Sequence, residues 1–375
     1  TLSQSSLNTL AQSPRLYYFD RLLPSEDRES MAKGRLFHDF AEFYLNYPQF
    51  VDDVDEEELV EFFLEEMRPF IQDFDEESLE TEIRMGMKSI RAFIDSKDID
   101  RTAFPEVESK SRNGFIEKFD KEIRVDMTEL SFKETDLKIN GKIDLAVSEK
   151  EIIDFKSGRK YSKTKKVESS RVQTFDNARF PDFQAPLYLI YLRSKNPDEK
   201  LKFTFFHFLH DIGEQLRNGS DLDEMQMELV YYPESFDKFK SREDVFDDMT
   251  SDVSKSNDRR KTLEKMGYDA YRDFMRSNRF PDTWDREALM SSDFANKMEE
   301  KAKQEVGDYK YVSKGVRSAL GKLLKQRKKN YFEEDIDMLE RFVEEKVEAV
   351  NEYMDEGFPL EAKIDELPEK DLMVR

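Results

Sequence analysis

The sequence predicts an α/β fold of the α+β kind, in which helical regions precede and follow a small strand-rich core that contains one central helix. Three observations support this prediction. Hydrophobic residues make up 38% of the 375 residues and include 31 Phe, which is enough to build a core. Their spacing is helical in residues 1–100 and changes to the strand period of two around residues 120–156. It returns to the helical period after about residue 235.

The N-terminal region contains three predicted helices. The first covers Gly34–Leu45 and has a Phe-rich stripe. The second covers Glu56–Phe70, where glutamates surround an apolar stripe. Pro69 should end or kink this second helix, because proline lacks a backbone N–H. The third covers residues 76–95.

The middle of the chain alternates apolar and polar residues, which is typical of strands with one buried face. The apolar positions are Ile123, Val125, Leu137, Ile139, Ile143, Leu145 and Val147, followed by a run from Ile152. Short polar linkers at residues 140–141 and 148–151 favour an antiparallel meander. A helix is predicted at Phe183–Leu192, and two more strands at residues 201–209 and 226–232.

The C-terminal region is predicted to be helical from about residue 235. Its clearest helix has apolar residues at helical spacing from Ile336 to Met354 and ends at Gly357, a residue type that favours helix C-caps. The sequence therefore predicts a helical region over residues 1–110, a core over residues 111–235 and a helical region over residues 236–375.

Composition argues against several functional classes. The chain has no cysteine, so it provides no disulfide and no cysteine-ligated zinc. No apolar run reaches about 18 residues and no segment has the pattern of a secretory signal, so we expect a cytoplasmic protein without a membrane partner. The 83 Asp+Glu and 61 Lys+Arg give a net charge of −22, which normally argues against a nucleic-acid partner.

Three charged residues in the strand-rich part form a candidate catalytic group. Asp144 lies in one predicted strand, and Asp154 and Lys156 lie in the next, where residues two apart share a face and are about 7 Å apart. If the strands form a hairpin, the two carboxylates converge and repel each other unless a cation lies between them. Oxygen ligands without cysteine suit Mg²⁺ or Mn²⁺, and a lysine beside them can orient water and offset charge on phosphorus. The alternative is an accidental D-x-K on an edge strand of an acidic chain.

These residues and their neighbours resemble the PD-(D/E)XK nucleases of the RecB type. The segments GKID at 141–144 and IIDFKSG at 152–158 match the core pattern of that family, and Gln184 and Tyr188 match its Q-x-x-x-Y motif on the next helix. His38 follows Gly34 in a predicted helix, as in the upstream motif, and Glu122 precedes the first aspartate. Residues 2–18 are similar to the Ser-rich start of the family, so the matches span residues 2–191.

The resemblance implies a restriction-endonuclease-like core, with a central mixed β-sheet flanked by helices, and a Mg²⁺- or Mn²⁺-dependent deoxyribonuclease activity. The implied catalytic residues are Asp144, Asp154, Lys156, Gln184 and Tyr188. The implied metal ligands are His38, Asp144, Asp154, the backbone carbonyl of Phe155 and Glu122.

Some of these residues have structural alternatives. His38 lies in a Phe-rich helix, Tyr188 could serve helix packing, and Glu122 is one of many acids. The chain also departs from the iron–sulfur members, because Ser13 stands where they have cysteine and no trailing cysteines follow residues 356–359. Either this branch lacks the cluster or the sequence stops before those cysteines, and no iron–sulfur cluster is expected in this chain.

A basic segment follows the D-x-K motif and joins it to the Q-x-x-x-Y helix. Its seven basic residues lie within Lys156–Arg171, with one acid, Glu168. A flexible basic loop at a nuclease cleft would contact phosphates, and Tyr161 could stack on a base. The predicted DNA-binding residues are Arg159, Lys160, Lys163, Lys165, Lys166 and Arg171. A solvated loop is the alternative, and a second basic run, Lys314–Lys329, is either a further DNA contact or a helix face.

The sequence thus supports competing functional hypotheses. The first is a RecB-like exonuclease that acts on single strands or duplex ends in DNA recombination, repair or phage DNA processing, with a helicase or recombination protein as a further partner. The second is a catalytically silent nuclease-fold scaffold that binds DNA or a helicase. The third, an acidic helical interaction protein, predicts that the carboxylates of Asp144 and Asp154 lie far apart. For a protein that binds DNA, the net charge is interpreted as a halophile-like surface, and the DNA would be bound locally by the basic segment.

Overall fold

The centre of the fold is a five-stranded mixed sheet whose strands follow chain order. The strands are β1 (Thr128–Glu134), β2 (Ile139–Ser148), β3 (Glu151–Lys156), β4 (Leu201–His207) and β5 (Gln226–Tyr231). β3 and β4 are parallel and the other neighbouring pairs are antiparallel. With the helices that flank it, this sheet confirms the predicted α/β fold with a central mixed sheet.

The computed structural model describes residues 1–22, 29–71, 75–99, 112–123, 128–178, 180–219, 221–235 and 327–360. Residues 232–334 form one compact unit, of which only two short pieces are described. Residues 1–231 together with 335–375 form the other, which holds the sheet and most of the last helix. The division of the chain into three regions, at residues 110 and 235, stays a prediction.

The burial of each strand explains its sequence pattern. In the β1–β2 hairpin, Phe132 and Ile143 are buried while Lys133 and Lys142 are exposed, so apolar and polar residues alternate. β3 and β4 lie inside the sheet, and residues 152–155 and 203–207 are buried without interruption. A strand that is covered on both faces is apolar along its whole length, which is why these two have the most hydrophobic sequences.

The N-terminal helices pack through aromatic side chains. Their bounds are α1 (Gln4–Gln12), α2 (Pro14–Leu22), α3 (Glu29–Asn46), α4 (Pro48–Asp53), α5 (Glu56–Met67), α6 (Glu76–Asp95) and α7 (Gly114–Lys118). The ring of Phe37 on α3 lies 4.7 Å from that of Phe63 on α5, and Phe40 lies 5.7 Å from Phe115 on α7. The three predicted N-terminal helices are confirmed, and Pro69 lies in a 3₁₀ turn just after α5.

Further helices follow: α8 (Lys163–Glu168), α9 (Gln184–Lys195), α10 (Ile212–Asn218), α11 (Leu222–Met225) and α12 (Glu333–Glu356). Helix α12 joins the core through Arg193 of α9, whose guanidinium lies 2.6 Å from Asp337. At its end Gly357 has φ +103°, and its N–H donates to the Tyr353 carbonyl at 2.9 Å, so the predicted C-cap is confirmed. The other predicted C-terminal helices lie outside the described residues.

Two details of the strand prediction are wrong. The predicted linker Asn140-Gly141 lies inside β2, where Gly141 pairs with Phe132 and is covered by that side chain. The first strand is Thr128–Glu134, and Ile123 precedes it outside any strand. The segment TELSFKE escaped notice because its alternating polar residues outnumber its apolar ones. None of the described helices is long and apolar enough to cross a membrane.

Candidate active site

The candidate active site lies where β2 and β3 separate. The last described pair of the ladder is Leu145 with Ile153. At the residue before Leu145, a side chain takes the place of a backbone acceptor. The Oδ2 of Asp144 accepts the N–H of Phe155 at 2.9 Å. A buried N–H needs an acceptor, so this bond lets the strands diverge without an unpaired donor. Beside this point lies a cleft that is lined by Asp144, Phe155 and Lys156.

His38 is brought to the same point by α3. Its Nε2 lies 3.6 Å from Asp144 Oδ2 and 3.2 Å from the carbonyl oxygen of Phe155. The neighbouring residue Phe37 is fully buried, whereas the His38 side chain keeps 25% of its exposure. The structure therefore brings three of the predicted metal ligands together: the His38 imidazole, the Asp144 carboxylate and the Phe155 carbonyl.

Asp154 lies between two partners that the sequence predicted. Lys156 Nζ is 2.7 Å from Asp154 Oδ2, and Gln184, the first residue of α9, donates from Nε2 to Oδ1. Asp154 is 7% exposed, and its Oδ2 has no hydrogen bond of ordinary geometry among the described residues. This buried oxygen therefore depends on a nearby cation to stabilise its charge.

Tyr188 packs closely against β2 at Gly141 and Lys142. The Tyr188 hydroxyl donates to the carbonyl of Lys142 at 2.7 Å and accepts that residue's N–H at 3.1 Å. A Cβ at position 141 would lie 2.7 Å from the Phe132 ring and 3.1 Å from the Tyr188 oxygen. Burial raises the pKa of Tyr188, so its hydroxyl stays protonated. Tyr188 thus fixes the backbone of β2 two residues before Asp144.

The charges in the site are strongly coupled. Burial raises the pKa of Asp144 to about 6; the His38 and Lys156 charges oppose this rise, and Asp154 adds to it. Although burial opposes it, the neighbouring Asp154 and Asp144 raise the pKa of Lys156 above its ordinary value. The two carboxylates therefore interact and Lys156 is held as a cation.

The donor set fits a hard divalent cation. It consists of carboxylate and carbonyl oxygens with one imidazole, and it includes Asp154 Oδ2, whose nearest cation is Lys156 Nζ at 2.7 Å. Among the described residues, however, no group of three or more His, Cys, Asp or Glu is arranged to hold a metal ion. Asp144 faces His38 and the Phe155 N–H, whereas Asp154 faces Lys156 and Gln184. Metal binding would therefore require the Asp154 carboxylate to exchange part of its pairing with Lys156.

The structure does not bring Glu122 to this group. Its backbone carbonyl and N–H both bond the Tyr47 hydroxyl, and its side chain is exposed. We therefore do not carry it forward as a metal ligand.

The basic segment is more ordered than a loop. Residues 163–168 form α8, and Lys166 pairs with the half-buried Asp182 just before α9. Arg171 is 7% exposed and lies 3.3 Å from Asp335, whose side chain is 1% exposed. A buried, ion-paired guanidinium cannot contact a phosphate at the surface, so we leave Arg171 out of the DNA-contacting set. Arg159 and Lys165 are exposed, and Lys160 donates to the Glu224 carbonyl at 2.5 Å.

Several site residues were missed at the level of sequence. The cleft has a volume of about 620 Å³, and its lining includes Arg35, Asp39, Arg112 and Lys142 beside the predicted residues. Arg35 is three residues from His38, which places both on one side of α3, and that spacing could have indicated it. Lys142 and Arg112 have no comparable pattern in the sequence.

His207 supports the end of β3. It pairs in register with Lys156, and its Nδ1–H donates to the Gly158 carbonyl at 2.9 Å. Burial lowers the pKa of His207 to about 4, although the bond to Gly158 opposes the shift. The imidazole is therefore neutral at pH 7. Its hydrogen bond holds the residues after Lys156 in place. Because it is neutral, the positive charge at this end of β3 comes from Lys156.

Comparison with known proteins gives one match. A family model described as the PD-(D/E)XK nuclease superfamily matches residues 1–266, which is more than half of the chain. No curated protein and no solved structure matches the chain.

Proposed function

The chain belongs to the PD-(D/E)XK nuclease superfamily, and we propose that it is a Mg²⁺- or Mn²⁺-dependent deoxyribonuclease that hydrolyses phosphodiester bonds. The observation that carries this proposal is the meeting of His38, Asp144, Asp154 and Lys156 at the end of β2 and β3. Residues from a helix and two strands, 118 positions apart at the extremes of this set, converge there with unbalanced negative charge.

The proposed ion would be held by Asp144, Asp154, the Phe155 carbonyl and His38. When bound, a divalent cation polarises the scissile phosphodiester and lowers the pKa of a water molecule. Tyr188 fixes the strand that carries Asp144, and Gln184 orients Asp154. These two residues are positioning residues, because their described contacts are to the protein itself.

Lys156 supplies positive charge in this scheme. Because the two aspartates raise its pKa, its ammonium is protonated at neutral pH and does not accept the proton of the attacking water. It can instead stabilise the negative charge that develops on the phosphate oxygens while one phosphorus–oxygen bond forms and another breaks. Its ion pair with Asp154 keeps it at the cleft.

We further propose a RecB-like exonuclease mode on single strands or duplex ends, in DNA recombination, repair or phage DNA processing. The support for this finer assignment is the order of the motifs from His38 to Tyr188. A helicase or recombination protein as partner and a cytoplasmic location belong to the same proposal. Exposed cations beside the cleft, such as Arg159 and Lys165, would contact the DNA backbone.

The test is a cleavage assay with Mn²⁺ or Mg²⁺ on labelled linear single-stranded and duplex DNA. Asp154→Ala and Lys156→Ala should each reduce the rate by about 10²–10³-fold, the range for loss of a residue that stabilises transition-state charge. Asp198→Asn, which changes an exposed aspartate in the turn after α9, is the matched control and should cleave normally. Wild-type activity no greater than that of the two alanine variants would refute the nuclease.

A circular single strand separates the two modes of cleavage. An exonuclease leaves the circle intact and degrades the same strand once it is linear. Cleavage of the circle would contradict the exonuclease assignment and leave the nuclease assignment standing.

A silent scaffold is the competing function. It is favoured by the absence of a preformed three-residue metal cluster among the described residues. The scaffold predicts DNA binding that is equal with and without Mn²⁺ and no cleavage by the wild type. Metal-dependent cleavage that Asp154→Ala abolishes would exclude it.

A further inference from the structure

We propose that one DNA strand continues from the cleft into an adjoining groove, and that Lys142 and Lys133 hold its phosphates there. The groove is lined on one side by residues 1–5 and on the other by the β1–β2 hairpin, and we call it the N-terminal groove. The inference rests on the proposed function, because it extends the path of the same substrate.

The two cavities share a residue. Lys142 lines both the cleft that contains Asp144 and the N-terminal groove. It lies two residues from Asp144 on β2, which corresponds to about 7 Å along a strand. A strand that places a phosphate beside Asp144 therefore reaches Lys142 with the next part of its backbone.

The pairing of β1 with β2 places further polar side chains beside Lys142. Lys142 pairs with Ser131, and Lys133, two residues further along β1, pairs with Asn140. Residues opposite each other in an antiparallel pair share a face, so these four side chains form one polar patch. Both lysines are exposed. The buried residues Leu130 and Phe132 alternate with them and fix the direction of the patch.

The described lining of the N-terminal groove is basic, although the chain as a whole is acidic. The chain has a net charge of −22, yet none of the described residues that line the N-terminal groove is an aspartate or glutamate. Its lining includes two lysines together with Ser3, Gln4 and Asn140, all of which can donate hydrogen bonds. A groove whose described lining consists of cations and neutral donors suits a polyanionic backbone.

The walls of the groove are fixed and its size is limited. Leu2 N–H donates to the Lys138 carbonyl at 2.8 Å, and Asn140 N–H donates to the Leu2 carbonyl at 3.1 Å, so the N-terminal segment is tied to β2. The volume is about 570 Å³, which is within the range of small-ligand pockets. A groove of this size has room for a short part of one strand.

The experiment measures binding of labelled oligothymidylates of several lengths by fluorescence anisotropy in EDTA, so that metal-dependent cleavage cannot occur. Lys133→Gln should weaken binding of a 16-nucleotide strand about 3–10-fold and should leave a 4-nucleotide strand, which fills only the cleft, unchanged. The slope of log K against log salt should fall by about 0.7 for the long strand, the value for one lost phosphate contact on single-stranded DNA. Lys133→Glu should have a larger effect in the same direction.

The control is Lys150→Gln, which removes the same charge in the turn after β2, where Lys150 pairs with Glu199. It should bind both lengths as the wild type does, and thermal melting should show that all variants are folded. If Lys133→Gln binds the long strand with wild-type affinity and slope, the groove is not a DNA subsite. Such a result beside normal Mn²⁺-dependent cleavage would sink only this inference. Length-dependent binding without any wild-type cleavage would instead refute the nuclease and keep the groove.

Discussion

The basic segment at residues 156–171 and the N-terminal groove carry positive charge in different ways. In the segment, Lys156, Lys166 and Arg171 are partly or fully buried and paired with Asp154, Asp182 and Asp335. In the groove, Lys133 and Lys142 are exposed, and none of the described lining residues is acidic. The density of basic residues in the sequence therefore does not show which cations are paired inside the fold and which are exposed.

The comparison separates two roles of a cationic side chain: stabilising the fold through a buried ion pair, or facing the solvent, where it can contact a ligand. A lysine or arginine paired with a buried carboxylate stabilises the protein, and its loss leaves an uncompensated charge inside. An exposed lysine contributes little to stability, because its interactions are screened by water. Four substitutions test these two regions and the residue that pairs with Lys156. They are given in descending order of expected effect.

Arg171→Met should give the largest effect. It leaves the Asp335 carboxylate, whose side chain is 1% exposed, without the guanidinium 3.3 Å away. Breaking a buried ion pair on one side costs about 3–5 kcal/mol, and this loss should appear in the free energy of unfolding by urea. The double variant Arg171→Met, Asp335→Leu should recover much of the loss. A stable Arg171→Met protein with weakened DNA binding would place Arg171 with the substrate-binding cations.

Gly141→Ala tests whether the floor of the groove is rigid. The new methyl would meet Phe132, which cannot move easily because it is stacked on Tyr191 with ring centroids 4.0 Å apart. We expect a loss of about 1–3 kcal/mol, as for overpacking in a core, measured by urea unfolding. Gly158→Ala is the matched control, since a Cβ there would have no atom within 4 Å. Equal stability of the two variants would show that the groove floor adapts.

The stability of the folded protein should fall in acid, because the His207 imidazole beside Lys156 is neutral in the fold. The pKa of His207 is lowered to about 4 in the folded protein, against an ordinary value near 6.5. Between these values the unfolded chain binds a proton that the folded protein does not, so stability falls as pH drops from about 6.5 towards 4. His207→Gln should reduce the fall by about 1–2 kcal/mol. Melting temperatures at pH 7 and pH 5 check this, and an identical pH dependence of the two proteins would contradict it.

Lys165→Gln should give the smallest effect. Lys165 is exposed on α8, so its loss should leave the melting temperature unchanged. We expect single-stranded DNA to bind about 2–3-fold more weakly, with a salt slope smaller by about 0.7. Lys150→Gln again serves as the control. An unchanged affinity would make the exposed part of the basic segment a solvated surface and would leave the N-terminal groove as the main cationic contact.

Much of the fold was predictable because it depends on local patterns. The helix over residues 76–95 and the C-cap at Gly357 follow from apolar spacing and residue type, and both are confirmed. β1 was missed because its apolar residues are few, and it is held by pairing with β2. Strand pairing is a tertiary contact, so weakly apolar strands give little signal in the sequence.

The sequence by itself determined the motif residues and the chemical types that meet at the cleft. It specified Asp144, Asp154 and Lys156 on neighbouring strands, with His38 upstream and Gln184 and Tyr188 on a later helix. Only the tertiary structure decided where each charge lies and how deeply it is buried. It buried Arg171 against Asp335, left Glu122 away from the cleft and placed Lys142 between two cavities. The physical reason is that pairing and burial depend on residues far apart in the chain, and these contacts decide whether a charge stabilises the fold or faces a ligand.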